Sequence, residues 1–297
     1  MKTRTLQDII GTNLFRVVSF CIVLLFFSIF FLLLAKSSLV LQSESIIDIL
    51  FGTTWYPENG NFGLAPILIG TILVTGIALL IAIPISLLSA IYIAEYSSER
   101  FRHIIRPFID VLAGVPSVVY GLCAFLVLVP FVKDVIAPFF GVASTGLCIF
   151  TASIILAVMV FPIIISLCVE AFIAVPLALR EASLSVGATR WETTKKVVFR
   201  ASTPSVIGAV LLGFGRAFGE TIAVNMVVGG IPRIPTSIFK SGETLASLIA
   251  SKYGELMSIP VYESALMLVA LLLFIVVLFF NLLGVFLLRR AKRRWSY

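Results

Sequence analysis

The sequence predicts an all-α integral membrane protein with six transmembrane helices. Three observations carry that prediction. Of 297 residues, 60% are hydrophobic and only 12% are charged, more apolar surface than a soluble domain of this size can bury. The apolar residues gather in six runs, each near or above the roughly 20 residues a bilayer requires. Basic residues collect at alternate ends of those runs, as the positive-inside bias demands.

The runs cover Val17–Ala35, Ala65–Ala94, Phe108–Val132, Thr145–Cys168, Pro204–Val228 and Ala265–Leu288. Lys2 and Arg4 precede the first, as in a signal peptide. Its apolar stretch is too long for one, however, and "LLLAKSSLV" offers no small-x-small cleavage site, so it reads as a retained helix. The second run is long and contains Pro84, which predicts a tilt or kink.

Of 22 basic residues, sixteen fall at one set of ends, from Lys2 and Arg4 to Arg293 and Arg294. Five (Lys36, Lys133, Arg233, Lys240 and Lys252) fall at the other, and Arg216 remains inside the membrane. This bias places both termini and Lys195 in the cytoplasm, with Tyr297, and puts Glu58 and Lys252 outside. It also accounts for the net charge of +7 without nucleic acid. Cys21, Cys123, Cys148 and Cys168 lie in or beside spans without a C-x-x-C pairing and read as packing residues. With His103 the only histidine and no Walker phosphate loop, neither a metal centre nor nucleotide hydrolysis is expected in this chain.

Between spans, the external segment 229–264 becomes helix-like at "GETLASLIASKYGE". Leu245, Leu248 and Ile249 share a face, with Glu243, Ser247 and Lys252 mostly off it. That pattern predicts an amphipathic helix on the outer surface, serving as a lid or as a docking surface and gate. The cytoplasmic segment 169–203 is the longest on its side. Pro176 suits a helix start and Gly187 a left-handed stop, with a second short helix from about Thr189. A charged helix–turn–helix of this length predicts partner docking.

The fifth run holds an arginine and a glutamate in lipid. Arg216 stands about twelve residues in, hence about 18 Å deep, where an arginine costs roughly 2.5–3.5 kcal/mol. Glu220 follows at i+4, on the same helical face as Ala209, Gly213, Ala223 and Val227. Gly215 and Gly219 favour close helix contact on an adjoining face. Two readings stand: a structural salt bridge, or an anion path in which the guanidinium fork takes an oxyanion while Glu220 holds it when empty. In the third run, Gly114 and Pro116 interrupt a helix. The result is a plain kink, or a cavity to which Ser117 and Tyr120 bring hydroxyls.

"REASLSVGATRWETTKKVVF" resembles the EAA loop of type I ABC importer permeases. Glu181, Ala182 and Gly187 match that pattern; Ser183, Val197, Phe199 and Arg200 depart from it. The resemblance implies that this loop inserts between the lobes of a separate ATPase and transmits its closure. It also implies the MetI-like permease fold with a cytoplasmic coupling helix. "GTILVTGIALLIAIPISLLSAIYIAEY", "LAGVPSVVYGL" and "GFGRAFGETIAV" resemble the phosphate-specific branch, its PstC-type subunits. Sulfate and molybdate permeases carry a related Gly-Glu-Phe-Gly where this chain continues with Thr221 and Ile222.

By that resemblance Arg216 and Glu220 coincide with the transport-essential pair, and Ser117 and Thr221 join the substrate pathway. The implied partners are a PstA-type permease in a heterodimer, two ABC ATPase copies that bind Mg-ATP, and an external phosphate-binding protein. The implied location is a bacterial or archaeal plasma membrane. The chain then divides into 1–64, a five-helix transport core at 65–288, and a basic tail at 289–297. The rival readings are the same machine carrying sulfate or molybdate, and an ion-coupled secondary carrier. A membrane enzyme is disfavoured by the lack of a nucleophile–base or metal cluster.

Overall fold

The computed structural model describes residues 2–43, 45–57, 60–256 and 259–295; Glu58 and Tyr297 lie outside them. In chain order, α1 (Lys2–Lys36) is followed by the short helices α2 (Ser38–Ser43) and α3 (Ile46–Phe51). A two-strand hairpin, β1 (Trp55–Tyr56) with β2 (Asn61–Phe62), pairs Trp55 with Phe62. Then come α4 (Ala65–Tyr96), α5 (Glu99–Gly114), α6 (Ser117–Phe139), α7 (Ile149–Ile173) and α8 (Leu177–Ser185). The chain ends with α9 (Arg190–Gly219), α10 (Ile222–Val228), α11 (Leu245–Leu256) and α12 (Pro260–Trp295). Among the described residues six helices are long and apolar enough to span a bilayer: α1, α4, α6, α7, α9 and α12.

α4 and α7 form the centre. Small residues let their backbones approach: Ala78 and Ala82 on one, Ala152 and Ala157 on the other, filled in by Val74, Leu156, Val160 and Ile164. α1 is peripheral. Its Phe26 and Phe30 pack on Phe274 of α12, with centroids 4.9 and 5.9 Å apart, Leu33 packs on the second core, and residues such as Phe15, Phe20, Ile22 and Phe31 face outward, as lipid contact requires. By connectivity, α8 and both chain ends share one end of the bundle.

One span breaks where the sequence reading placed an interruption, at Gly114 and Pro116, and another breaks where it did not. The expected third run, Phe108–Val132, is split: α5 stops at Gly114, Val115 is extended (φ −64°, ψ 132°), and α6 restarts at Ser117. Pro116 has no N–H to give to the Leu112 carbonyl, the bond that would have continued the helix. The Tyr120 hydroxyl donates to that carbonyl instead, at 2.8 Å, so the protein itself satisfies the freed group. The expected fifth run is also broken. α9 ends at Gly219, Glu220 is extended (φ −71°, ψ 121°), and α10 begins two residues later.

The outer helix differs too. α11 is buried along its first turn and exposed at Ala250, Tyr253 and Gly254. Leu245 and Leu248 are buried in a second core with Val40, Ile49, Trp55, Phe62 and Leu266. Glu243 and Ser247, expected off the apolar face, are buried as well. They form the cap of the helix. Thr244 N–H donates to Ser247 Oγ (2.9 Å), Ser247 N–H to Thr244 Oγ1 (3.2 Å), and Ser247 Oγ to the Glu243 carboxylate. A buried helix start needs these partners for its free N–H groups. Burial pushes the Glu243 carboxyl above its ordinary range. Gly70 makes room for the turn, since a Cβ there would stand 2.0 Å from the Glu243 carbonyl oxygen.

Candidate functional site

The two helix breaks lie side by side. α6 and α10 run the same way through the bundle and touch where Gly121 faces Ala223; a Cβ on Gly121 would come within 2.9 Å of the Ala223 Cα. One turn before these residues stand Ser117 on one helix and Glu220 on the other. The break changes what Glu220 does. Its Oε1 accepts the Ala223 N–H at 3.3 Å, capping α10, and the Thr221 hydroxyl donates to the Gly219 carbonyl at 3.0 Å. Among the described residues no ion pair joins Arg216 to Glu220. The expected i,i+4 pair needs one continuous helix, and the helix unwinds between its members.

Arg216 is half-buried, and its Nε–H is buried without a hydrogen-bond partner. It borders a cavity of about 500 Å³ lined by Gly208, Leu212, Gly215, Asn281 and neighbours. The face that carries Ala209 and Gly213 does not open onto the cavity. Ala209 is buried, and a Cβ on Gly213 would meet Ile164 at 2.8 Å, so that stripe packs on α7. Gly208, Gly215 and Gly219 have nothing within 4 Å of a Cβ. Gly208 and Gly215 open the cavity, and none of the three brings a helix close. Arg216 thus brings a cation to the apolar wall of this cavity, chemistry suited to an oxyanion. Sequence reasoning missed Asn281, whose Nδ2 donates to the Val277 carbonyl at 2.9 Å. Its signal was a lone amide inside the apolar run "LFFNLLG".

The second cluster is the segment at the end of the bundle. Pro176 precedes α8 and Gly187 terminates it at φ +86°. The helix expected to be short from Thr189 instead runs on as the span α9, capped by Thr189 in a reciprocal box with Glu192: its Oγ1 accepts the Glu192 N–H at 3.2 Å, and its own N–H donates to the Glu192 carboxylate at 3.1 Å. Glu181 and Ala182 are exposed, whereas Ser183 turns inward to share a hydrogen bond with Thr193 Oγ1 at 2.9 Å. Around them Leu177, Leu184, Val186 and Trp191 are also exposed, Val186 to 83%. These form an apolar patch at the end of the bundle, away from its lipid-facing girth.

This segment is fixed to α4 by contacts the sequence did not reveal. The Arg180 guanidinium pairs with Glu95 at 2.9 Å and donates to the carbonyls of Phe172 (2.7 Å) and Val175. Arg190 donates to the Glu95 carbonyl at 2.6 Å and lies 5.2 Å over the Tyr96 ring. With Arg102, which donates to the carbonyls of Ile93 (3.1 Å) and Ala94 (2.6 Å), three arginines take carbonyls at the ends of α4 and α7.

Gly187→Val is expected to leave the fold in place and to misdirect α8. The position is open, with nothing within 4 Å of a Cβ, but φ +86° strains a β-branched residue. Uptake should fall while membrane insertion survives. ATP hydrolysis by the purified, assembled complex, with and without external binding protein, checks it; normal stimulation would refute a docking role for this turn.

Residues 82–297 match the family described as binding-protein-dependent transport system inner membrane component. The phosphate transport system permease protein PstC of Xylella fastidiosa is 36% identical, over 87% of this chain and 83% of the relative. The probable phosphate transport system permease protein PstC of Methanocaldococcus jannaschii is 30% identical over the full length of both. Among solved structures, an inward-facing MetNI methionine ABC transporter superposes with a TM-score of 0.53 at 18% identity, covering 77% of this chain and 94% of that one. That likeness shows the fold. The six spans, the exposed α8 turn and the match over 82–297 converge on one assignment: the chain belongs to the family of binding-protein-dependent transport system inner membrane components.

Proposed function

We propose that this chain is a permease subunit of an ATP-driven importer of inorganic phosphate, and that it forms half of the translocation pathway. One observation carries the reading. Arg216, with its unpartnered buried donor, borders a cavity at the level where two spans break, in a chain 36% identical to a PstC permease. A tetrahedral oxyanion offers two oxygens to the guanidinium fork, and the low-polarity wall strengthens that contact.

The other half of the pathway comes from a PstA-type permease. Two ABC ATPase subunits bind Mg-ATP and dock on Leu177, Glu181, Ala182, Val186 and Trp191. An external phosphate-binding protein delivers the anion. The complex sits in a plasma membrane with both termini and α8 in the cytoplasm, as sixteen basic residues on that side favour.

Uptake of radiolabelled phosphate by the reconstituted complex tests the substrate, with sulfate and molybdate as competitors. Phosphate alone should compete, and vanadate should stop uptake. Competition by sulfate or molybdate at equal concentration would assign the chain to those anions; vanadate-insensitive uptake would point to a secondary carrier. Orientation has its own measurement. With the native cysteines replaced, a cysteine at Lys252 should react with a membrane-impermeant reagent in intact cells and one at Lys195 should not. External reaction at Lys195 would overturn the orientation, and with it the ATPase-docking role.

A further inference from the structure

Beyond α10 the chain turns back through Gly229 (φ +98°) and Gly230 (φ +65°) and closes over the end of the bundle opposite α8. The returning loop is held firmly. Ile149 N–H donates to the Lys240 carbonyl (3.2 Å), Phe150 N–H to the Ile238 carbonyl (2.9 Å), and Gly242 N–H to the Val228 carbonyl (3.0 Å). The hydroxyls of Ser144 and Ser241 donate to the carbonyls of Phe239 and Leu147, each at 2.7 Å. Phe239 is buried between Phe140 and Phe150, with centroids 5.5 and 5.2 Å away. Side chains on this loop therefore project from a fixed backbone.

A cavity of about 450 Å³ opens between this loop and residues 143–145. Arg233, Lys240 and Thr236 line it, and no carboxylate does. Among the described residues neither cation forms an ion pair, and the Thr236 hydroxyl makes no hydrogen bond. Of 22 basic residues only five belong to this end of the bundle, yet two of those five face one concavity. Two like charges held together without a counterion repel each other. A concave wall also focuses their field on whatever anion enters. The cavity stands at the head of α10, whose seven residues rise about 10 Å, with Glu220 and Arg216 at its far end.

We infer that this cavity is an outer anion site in which Arg233 and Lys240 take inorganic phosphate, with Thr236 as a further donor, before it descends along α10 to Arg216. The inference rests on the phosphate-importer reading and adds a second, external subsite to it. A small oxyanion is the fitting occupant because both cations line one hollow and no carboxylate does.

The test places a cysteine at Thr236 in the assembled complex, with Cys21, Cys123, Cys148 and Cys168 replaced. Its rate of modification is compared between small anionic and neutral methanethiosulfonate reagents. The anionic reagent should react about 10-fold faster at low salt, a preference that falls as salt rises. Arg233→Gln with Lys240→Gln should erase the preference, and added inorganic phosphate should slow modification only when both cations are present. In the unlabelled complex the same double substitution should lower phosphate uptake several-fold. The concentration of binding protein that half-saturates ATPase stimulation should not change. No charge preference, or no protection by phosphate, overturns the inference. A shifted half-saturation without phosphate protection also overturns it, and makes the patch a protein-docking surface. Because modification is read without transport, a complex that fails to import phosphate would count against the importer reading alone.

Discussion

Arg216→Lys is expected to lower phosphate uptake by at least about 10-fold, although the charge is kept, while the complex still assembles and hydrolyses ATP. The guanidinium brings a fork of donors, of which the buried Nε–H has no partner in the protein. A lysine carries a point charge that cannot reproduce two parallel contacts to one anion. A hydrogen bond to a charged group contributes about 1.5–3 kcal/mol, and each 1.4 kcal/mol is a factor of ten. The expected loss follows from one missing contact alone. Uptake normalised to assembled complex is the measurement, and a near-normal rate in Arg216→Lys would make this arginine a structural element. Glu220→Gln separates capping from charge. It retains an oxygen for the Ala223 N–H, so α10 stays folded and the complex assembles. Any fall in uptake then reports the lost negative charge.

Much of this architecture is legible in the sequence because bilayers impose a crude rule. A run of apolar residues long enough to cross is hard to hide, and six of them lead to six helices. The turn at α8 is equally open to reading, since Pro176, Gly187 and Thr189 each have one strong local preference and the chain follows all three. Local chemistry with no alternative partner is what sequence reasoning reads well.

The break after Gly219 is a different case. A lone glycine is tolerated in a helix, and no proline marks the spot. What settles the matter is the Glu220 carboxylate, which takes a backbone N–H of the next helix and so stabilises the interruption. The same residue read as a partner for Arg216 implies an unbroken helix, and the two roles exclude each other. α11 shows the limit in another form. Glu243 and Ser247 look like a solvated edge until each is seen to satisfy the other inside the protein. Contacts between distant parts of the chain leave no local trace at all: Glu95 and Arg180 are 85 residues apart.

That pair yields the second large effect. Arg180→Met is expected to uncouple the complex: ATP hydrolysis continues, but phosphate uptake and the response to external binding protein are lost. Arg180 binds three acceptors at once, Glu95 on α4 and the carbonyls of Phe172 and Val175 at the end of α7. Without it, α8 is held to the bundle by the Ser183–Thr193 hydroxyl contact and, through the capped turn that follows, by Arg190 on the Glu95 carbonyl and the Tyr96 ring, and a neutral hydrogen bond is worth only about 1 kcal/mol. Breaking a fully buried pair costs about 3–5 kcal/mol. The loss here is smaller, because the Arg180 side chain is 18% exposed and Glu95 9%. It falls on the joint between α8 and the two central spans. Arg180→Lys keeps a charge for Glu95 but cannot span all three acceptors, so it should retain part of the coupling. Glu95→Gln should resemble it, since both carbonyl contacts survive. The readout is the ratio of phosphate imported to ATP hydrolysed in the reconstituted complex. A ratio unchanged by Arg180→Met would show that α8 moves the bundle through its covalent connections alone, and that the Arg180 contacts only tidy the helix ends.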